Sequence, residues 1–193
     1  MNIGDNALFK NLIFEDMNMN RMFIQMIRGG NMVFENIEFI NIETQSQETI
    51  MAFNFNRLEI RNLTYINYTA SSNPIRPMIS TSTNANVYTE ISGIRMENCV
   101  LLKTSLFRNL RATDGIIIKD LSFSNVSISS GESIIVLENV KHTHFSNFTF
   151  DRVINSDTVN DGSAIISILS FLLDSYFETE GISVSSTLVD MLV

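Results

Sequence analysis

FENIEFINI, residues Phe34 to Ile42, is apolar at its first, fourth, sixth, seventh and ninth places and carries asparagine in its third and eighth. The same nine-place phrase returns as FKNLIFEDM from Phe9, IRNLTYINY from Ile60, IKDLSFSNV from Ile118 and FSNFTFDRV from Phe145. ISGIRMENC from Ile91 follows it with Gly93 in third place and Met96 in sixth, and LLDSYFETE from Leu172 is its most degraded copy. The starts lie 25, 26, 31, 27, 27 and 27 residues apart. A fixed period between about 20 and 50 residues marks a solenoid, in which each repeat is one supersecondary unit stacked on the next. The one long interval contains Ser71-Ser72-Asn73-Pro74 and Pro77, both prolines of the chain, and predicts a loop insertion over 70–89.

Aligned in columns, the phrases acquire physical meaning. The fourth place reads Leu12, Ile37, Leu63, Ile94, Leu121, Phe148, Ser175, and the sixth reads Phe14, Phe39, Tyr65, Met96, Phe123, Phe150, Phe177. Places two apart share a face of a strand, so these columns predict identical side chains stacked inside. The fifth place holds Ile13, Glu38, Thr64, Arg95, Ser122, Thr149 and Tyr176, a mixture suited to an outer face. The first and ninth places are apolar again but out of phase, so the chain must turn near places three and eight. Those places hold Asn11, Asn36, Asn62, Gly93, Asp120, Asn147, Asp174 and Asp16, Asn41, Asn67, Asn98, Asn125, Arg152, Thr179. Asn, Asp and Gly are the residues that tolerate left-handed backbone angles. Second strand-like runs fall between phrases at Met22–Ile24, Ile50–Phe53, Ser133–Leu137 and Ala164–Leu169, with Gly115, Gly131 and Gly162 as punctuation.

Each period therefore holds about three short strands and no helix. The chain resembles the right-handed parallel β-helix, the pectin-lyase-like superfold, over nearly its whole length. A leucine-rich repeat has a similar period, but the phrase here is aromatic rather than Leu-x-Leu. The expected architecture is all-β: a right-handed parallel β-helix solenoid of about seven coils with a 25–27 residue period, on the order of 30 Å long. Residues 1–193 read as a single β-helix segment. The first phrase starts close to Met1 and the run Leu188–Val193 is apolar, whereas a solenoid needs polar caps. The expectation is a fragment of a longer chain, or a piece stacked end to end on a partner.

Composition narrows the partners. The chain has 193 residues, 45% of them hydrophobic, and a net charge of −8 with 13 Lys plus Arg, which argues against nucleic acid or an anionic membrane surface. It has no apolar run long enough for a membrane span, and the lone Cys99 builds no disulfide framework. Cys99 falls in the apolar ninth column and reads as a small buried hydrophobe.

Four sequons, at Asn62, Asn67, Asn125 and Asn147, are candidate N-glycosylation sites and point to an extracellular or cell-surface protein. With 22 asparagines, about four sequons arise by chance, and all four sit in corner columns where Asn is wanted for the backbone. Enzymes of the fold it resembles degrade acidic polysaccharides with clustered carboxylates, basic groups or calcium. The seventh column offers Glu15, Glu97, Asp151 and Glu178, and Asp151 with Glu178 would fall on adjacent coils, close enough for a glycosidase-like carboxylate pair. No basic group is placed beside them, and outward carboxylates on strands ordinarily only solvate. His142 and His144 alternate on one strand, the minimum for a metal pair, but no third ligand accompanies them. The reading leans against an enzyme, with no cofactor and no metal. It favours a structural or adhesive β-helical segment whose partners are further coils or a stacked protein, together with glycans. The alternatives are a polysaccharide lyase or hydrolase and a non-catalytic carbohydrate-binding β-helix.

Overall fold

The computed structural model describes the chain apart from residues 1–5, 20–23, 27–29, 46–47, 83–86, 110–112, 130–132, 156–165, 169–170, 186–187 and 190–193. Its elements are β1 (Asn6–Met19), β2 (Ile24–Met26), β3 (Asn31–Thr44), β4 (Ile50–Phe53), β5 (Arg57–Ser82), β6 (Tyr88–Asn109), β7 (Thr113–Ser129), β8 (Ile135–Leu137), β9 (Val140–Asn155), β10 (Ile166–Ile168), β11 (Phe171–Ser185) and β12 (Leu188–Val189). No helix occurs among the described residues. The long strands stack in the order β1-β3-β5-β6-β7-β9-β11, every neighbouring pair parallel. A second face is built by β2 on β4 and by β4 on residues 79–82 of β5. On the same face Phe107–Asn109 of β6 pair with β8, and β8 pairs with β10. The chain is thus a parallel β-solenoid. Seven rungs stand on the long face, and the solenoid makes about five turns where seven coils were expected.

Register follows the columns for six of the seven phrases. Phe14 pairs with Phe39, Phe39 with Tyr65, Tyr65 with Met96, Met96 with Phe123 and Phe123 with Phe150. The seventh phrase is displaced. Phe145, Phe148 and Phe150 pair with Thr179, Ile182 and Val184, so the last copy begins at Thr179 rather than Leu172, and Gly181 rather than Asp174 is its corner. The last interval is 34 residues, as the pairing of His144 with Glu178 shows. A fixed period of 27 misses it because Phe177 imitates an in-phase aromatic. In the third interval, Ser71 pairs with Leu102 and Arg76 with Thr104, so residues 72–75 lie opposite Lys103 alone and form a bulge that absorbs most of the extra length.

The core is the set of stacked columns. Phe34, Ile37, Phe39 and Ile42, places one, four, six and nine of one phrase, are all buried. Neighbouring rings stack at the strand spacing: Phe9 on Phe34 and Phe14 on Phe39 at 5.0 Å, and Phe39 on Tyr65 at 5.1 Å between centroids. One phrase can point four residues inward only because the chain turns twice. Asn11, Asn36, Asn62, Asp120 and Asn147 at the third place have positive φ, as do Asp16, Asn41, Asn67, Asn98, Asn125 and Arg152 at the eighth. Gly93 and Gly181 fill the third place in the two remaining rungs, also at positive φ. A left-handed residue with a Cβ costs roughly 1–2 kcal/mol, least for Asn and Asp, which explains the asparagine excess.

The corner side chains are themselves bonded. Asn36 Nδ2 donates to Asn11 Oδ1 and Asn62 Nδ2 to Asn36 Oδ1, both at 2.9 Å. At the other corner, Asn41 donates to Asp16 and Asn67 to Asn41, again at 2.9 Å. Asn125 donates to Asn98 at 2.7 Å and Asn147 to Asp120 at 3.0 Å. Each amide therefore donates toward the preceding rung, and the ladders have a direction. A carboxylate cannot donate, and Asp stands where a ladder begins: Asp16 on the first rung, and Asp120 directly after the break at Gly93.

Candidate functional site

Upstream of each phrase the strand continues for three residues, and alternate side chains there face outward. Along the stack these outward positions read Arg57, Tyr88, Gly115, His142 in one column and Glu59, Glu90, Ile117, His144, Glu178 in the next, and the second place of the phrase continues the face with Arg61, Ser92, Lys119, Ser146, Glu180. The inward positions between them include Thr89, Ile116 and Thr143, all buried. Gly115 adds no side chain, so a notch about 10 Å tall opens between Tyr88 and His142 two rungs away. A Cβ at Gly115 would meet the Tyr88 ring at 3.5 Å, ordinary contact distance, so the ring leans over the notch and walls it. The result is an open groove of about 430 Å³, largely apolar in its floor, lined by Tyr88, Gly115, Ile117, His142, His144 and Glu178 among others.

Charges frame this groove. The Arg57 guanidinium lies over the Tyr88 ring at 5.2 Å from its centroid, and Glu59 is held between Arg57 and Arg61. Lys119 bonds Glu90 at 2.8 Å, a contact that raises the Lys119 pKa. Partial burial, and then the nearby Glu90 carboxylate, raises the pKa of Tyr88 and keeps its phenol neutral. His144 Nδ1 lies 3.3 Å from Glu178 Oε2 and its Nε2 lies 3.7 Å from Glu180 Oε1. The chemistry available is an aromatic wall, imidazole and carboxylate hydrogen-bonding groups and an apolar floor, suited to a compact ligand with one apolar face. Among the described residues no three His, Cys, Asp or Glu side chains are grouped to hold a metal ion.

The carboxylate pair expected on adjacent coils does not form. Glu178 pairs with His144, while Asp151 pairs with Ser185 and bonds Arg152 at 3.1 Å. Seven positions of strand separate the two acids along the rungs, because the last phrase is displaced by seven residues. His142 and His144 do share one face and line the same groove. Cys99 is buried in its column, its Sγ 3.3 Å from the Glu97 carbonyl, and burial pushes the thiol up to about 11. The four sequon asparagines, Asn62, Asn67, Asn125 and Asn147, all sit at ladder corners, each donating through Nδ2 to the rung before it. Glu15 and Glu97 stay on the outer face, and Glu97 pairs with Arg95.

Tyr88, Glu90 and Arg57 were invisible to a reading confined to the nine-place phrase, whereas Lys119 stands at its second place. Extending the columns three places upstream would have aligned them with the histidines. The fold defines the class, an all-β parallel solenoid repeat protein. Compared with known proteins, the chain matches no family model, no curated protein sequence and no solved structure. Among the described residues no helix is long and apolar enough to cross a membrane.

Proposed function

We propose that the chain is a non-enzymatic, load-bearing β-helical segment of an extracellular or cell-surface protein, of the pectin-lyase-like kind, serving as a spacer, adhesive stalk or filament subunit. The observation that supports this reading is the directional stack: backbone ladders, ring columns and corner amides all run along one axis, so a transverse load is shared by every rung. Further coils or a stacked protein are its natural partners. N-glycosylation at Asn62, Asn67, Asn125 or Asn147 belongs to the same reading, since each Nδ2 uses one of its two hydrogens in the ladder. Pulling the chain along its axis between engineered terminal handles should give stepwise unfolding in units of one or a few coils. Incubation with a panel of acidic polysaccharides should release no product. Cleavage lost in Glu178→Gln would overturn the structural reading, and native material unmodified at all four sequons would remove its glycoprotein support.

A second reading, carbohydrate binding without catalysis, is favoured by the groove beside Tyr88, where a phenol ring meets imidazole and carboxylate groups. Titration of labelled protein with neutral and acidic oligosaccharides, followed at Tyr88 and His144, tests it. The expected result is saturable shifts that Tyr88→Ala abolishes.

A further inference from the structure

We propose that the groove beside Tyr88 takes a cationic amino-sugar oligosaccharide, laid along the solenoid axis with one ring packed on Tyr88 over Gly115 and an ammonium group held by Glu178 and Glu180. The inference rests on the carbohydrate reading of the same groove and adds the charge of its ligand. Its first support is a glycine that the backbone does not need. Gly93 and Gly181 stand at positive φ, whereas Gly115 does not. Gly115 lies inside β7, paired with Tyr88 on one side and His142 on the other. Glycine within a strand weakens it, and where no turn requires it, it marks a place that a ligand or another backbone approaches closely. Apart from its chain neighbours, a Cβ added there would come within 4 Å of Tyr88 alone among the described residues, and no closer than 3.5 Å. That is ordinary contact, so neither a neighbouring backbone nor the Tyr88 ring demands the glycine. What its absent side chain provides is the open notch of the groove.

Charge then selects the ligand. Arg57 covers the Tyr88 ring from the rung before, and Gly115 on the rung after leaves it uncovered. The C–H face of a pyranose packs on such a surface, and its hydroxyls suit the imidazoles of His142 and His144. In the two outward columns that frame the groove, Glu35 bonds Lys10, Glu59 bonds Arg57 and Arg61, and Glu90 bonds Lys119. Glu178 and Glu180 break that pattern. Among the described residues they meet only His144, at 3.3 and 3.7 Å, and their side chains are 62% and 70% exposed. A uronate would bring a further carboxylate to two that lack Lys or Arg, whereas an amine would complete the columns as Lys and Arg do elsewhere. The net charge of −8 also draws a cation toward the molecule. Tyr88 and Glu178 stand three rungs apart, roughly 14 Å at the strand spacing, so the ligand is longer than one ring.

Calorimetric titration of the full chain in mildly acidic, low-salt buffer, where sugar amines carry charge, tests the proposal. The probes are a glucosamine tetramer, its N-acetylated counterpart, a galacturonate tetramer and the ringless polyamine spermine. The glucosamine tetramer should bind about three- to tenfold more tightly than the N-acetylated one, the gain expected of one or two partly exposed ion pairs, and galacturonate and spermine should bind more weakly than glucosamine. Glu178→Gln with Glu180→Gln should erase the preference for the amine and leave the affinity for the N-acetylated tetramer unchanged. Gly115→Val, with its fold checked by circular dichroism, should abolish binding of both. Equal affinity for the two tetramers, tighter binding of galacturonate, or a preference that survives the double substitution overturns the proposal and leaves the carbohydrate reading standing. Spermine bound as tightly as glucosamine overturns it in favour of charge alone. Failure of every sugar to bind overturns both.

Discussion

The first three rungs and the last two are built on the same backbone ladder but are fastened by different side chains. In β1, β3 and β5 the rings of Phe14, Phe39 and Tyr65 stack face to face and two corner ladders run without a break. Between β9 and β11 the third-place corner is glycine, and a surface histidine bridges two acids. The first kind of fastening is buried ring packing and amide hydrogen bonds; the second is a surface contact between an imidazole and two carboxylates. Depth of burial therefore predicts where damage matters. Phe39→Ala removes a ring with zero exposure and strips Phe14 and Tyr65 of a stacking partner, which should cost about 3–5 kcal/mol in chemical denaturation. Ile182→Ala, at 44% exposure, should cost below about 1 kcal/mol. Equal losses at the two sites would mean that the rungs are alike after all.

Alkali should act on the centre of the stack. Tyr65, Tyr68 and Cys99 are packed together at the centre, and burial raises the pKa of all three. For Cys99 the rise is from 9.0 to about 11. The unfolded thiol ionises first, so its share of stability is intact below about pH 9 and is lost as pH climbs toward 11, a loss of roughly 2–3 kcal/mol. The tyrosines extend the loss to higher pH. Denaturation midpoints measured from pH 8 to 11 should fall, and Cys99→Val, matching Val126 of the next rung, should reduce the fall over that range.

How much of this could be read from the chain depended on whether a residue's role repeats. Phe39, Asn36 and Asn41 each have counterparts one period away, so column alignment found the core, the corners and the parallel stack before any coordinates. The second-face strands at 79–82 and 107–109 were missed because Ser80-Thr81 and Arg108-Asn109 interrupt the apolar run. Glu178 was placed one strand-length away from its true neighbour because Phe177 falls 27 residues after Phe150 and satisfied the period, while the structure inserts seven residues more. The groove was unreadable for a related reason. Tyr88, Gly115 and His142 share a column yet share no chemistry, and a site made of differences leaves no repeat to find.

The corner ladders give the smallest effects and the sharpest contrast. Asn36 both receives a bond from Asn62 and donates one to Asn11, at positive φ. Asn36→Gly keeps the turn and loses both bonds, while Asn36→Ala loses the bonds and strains the backbone too. Losses of about 1 and about 2 kcal/mol are expected, in that order. Asp120 differs because the rung before it offers Gly93, so nothing there can accept a side-chain donor. Asp120→Asn keeps the oxygen that Asn147 bonds and gains an amide whose extra donors simply face water, so stability should change by less than about 0.5 kcal/mol. Asn36→Asp removes a donor from the middle of a running ladder and should cost about 1 kcal/mol more than the reverse change at Asp120. If the two substitutions had equal and opposite effects, the ladders would have no direction, and Asp would be one more corner residue rather than the mark of where a ladder starts.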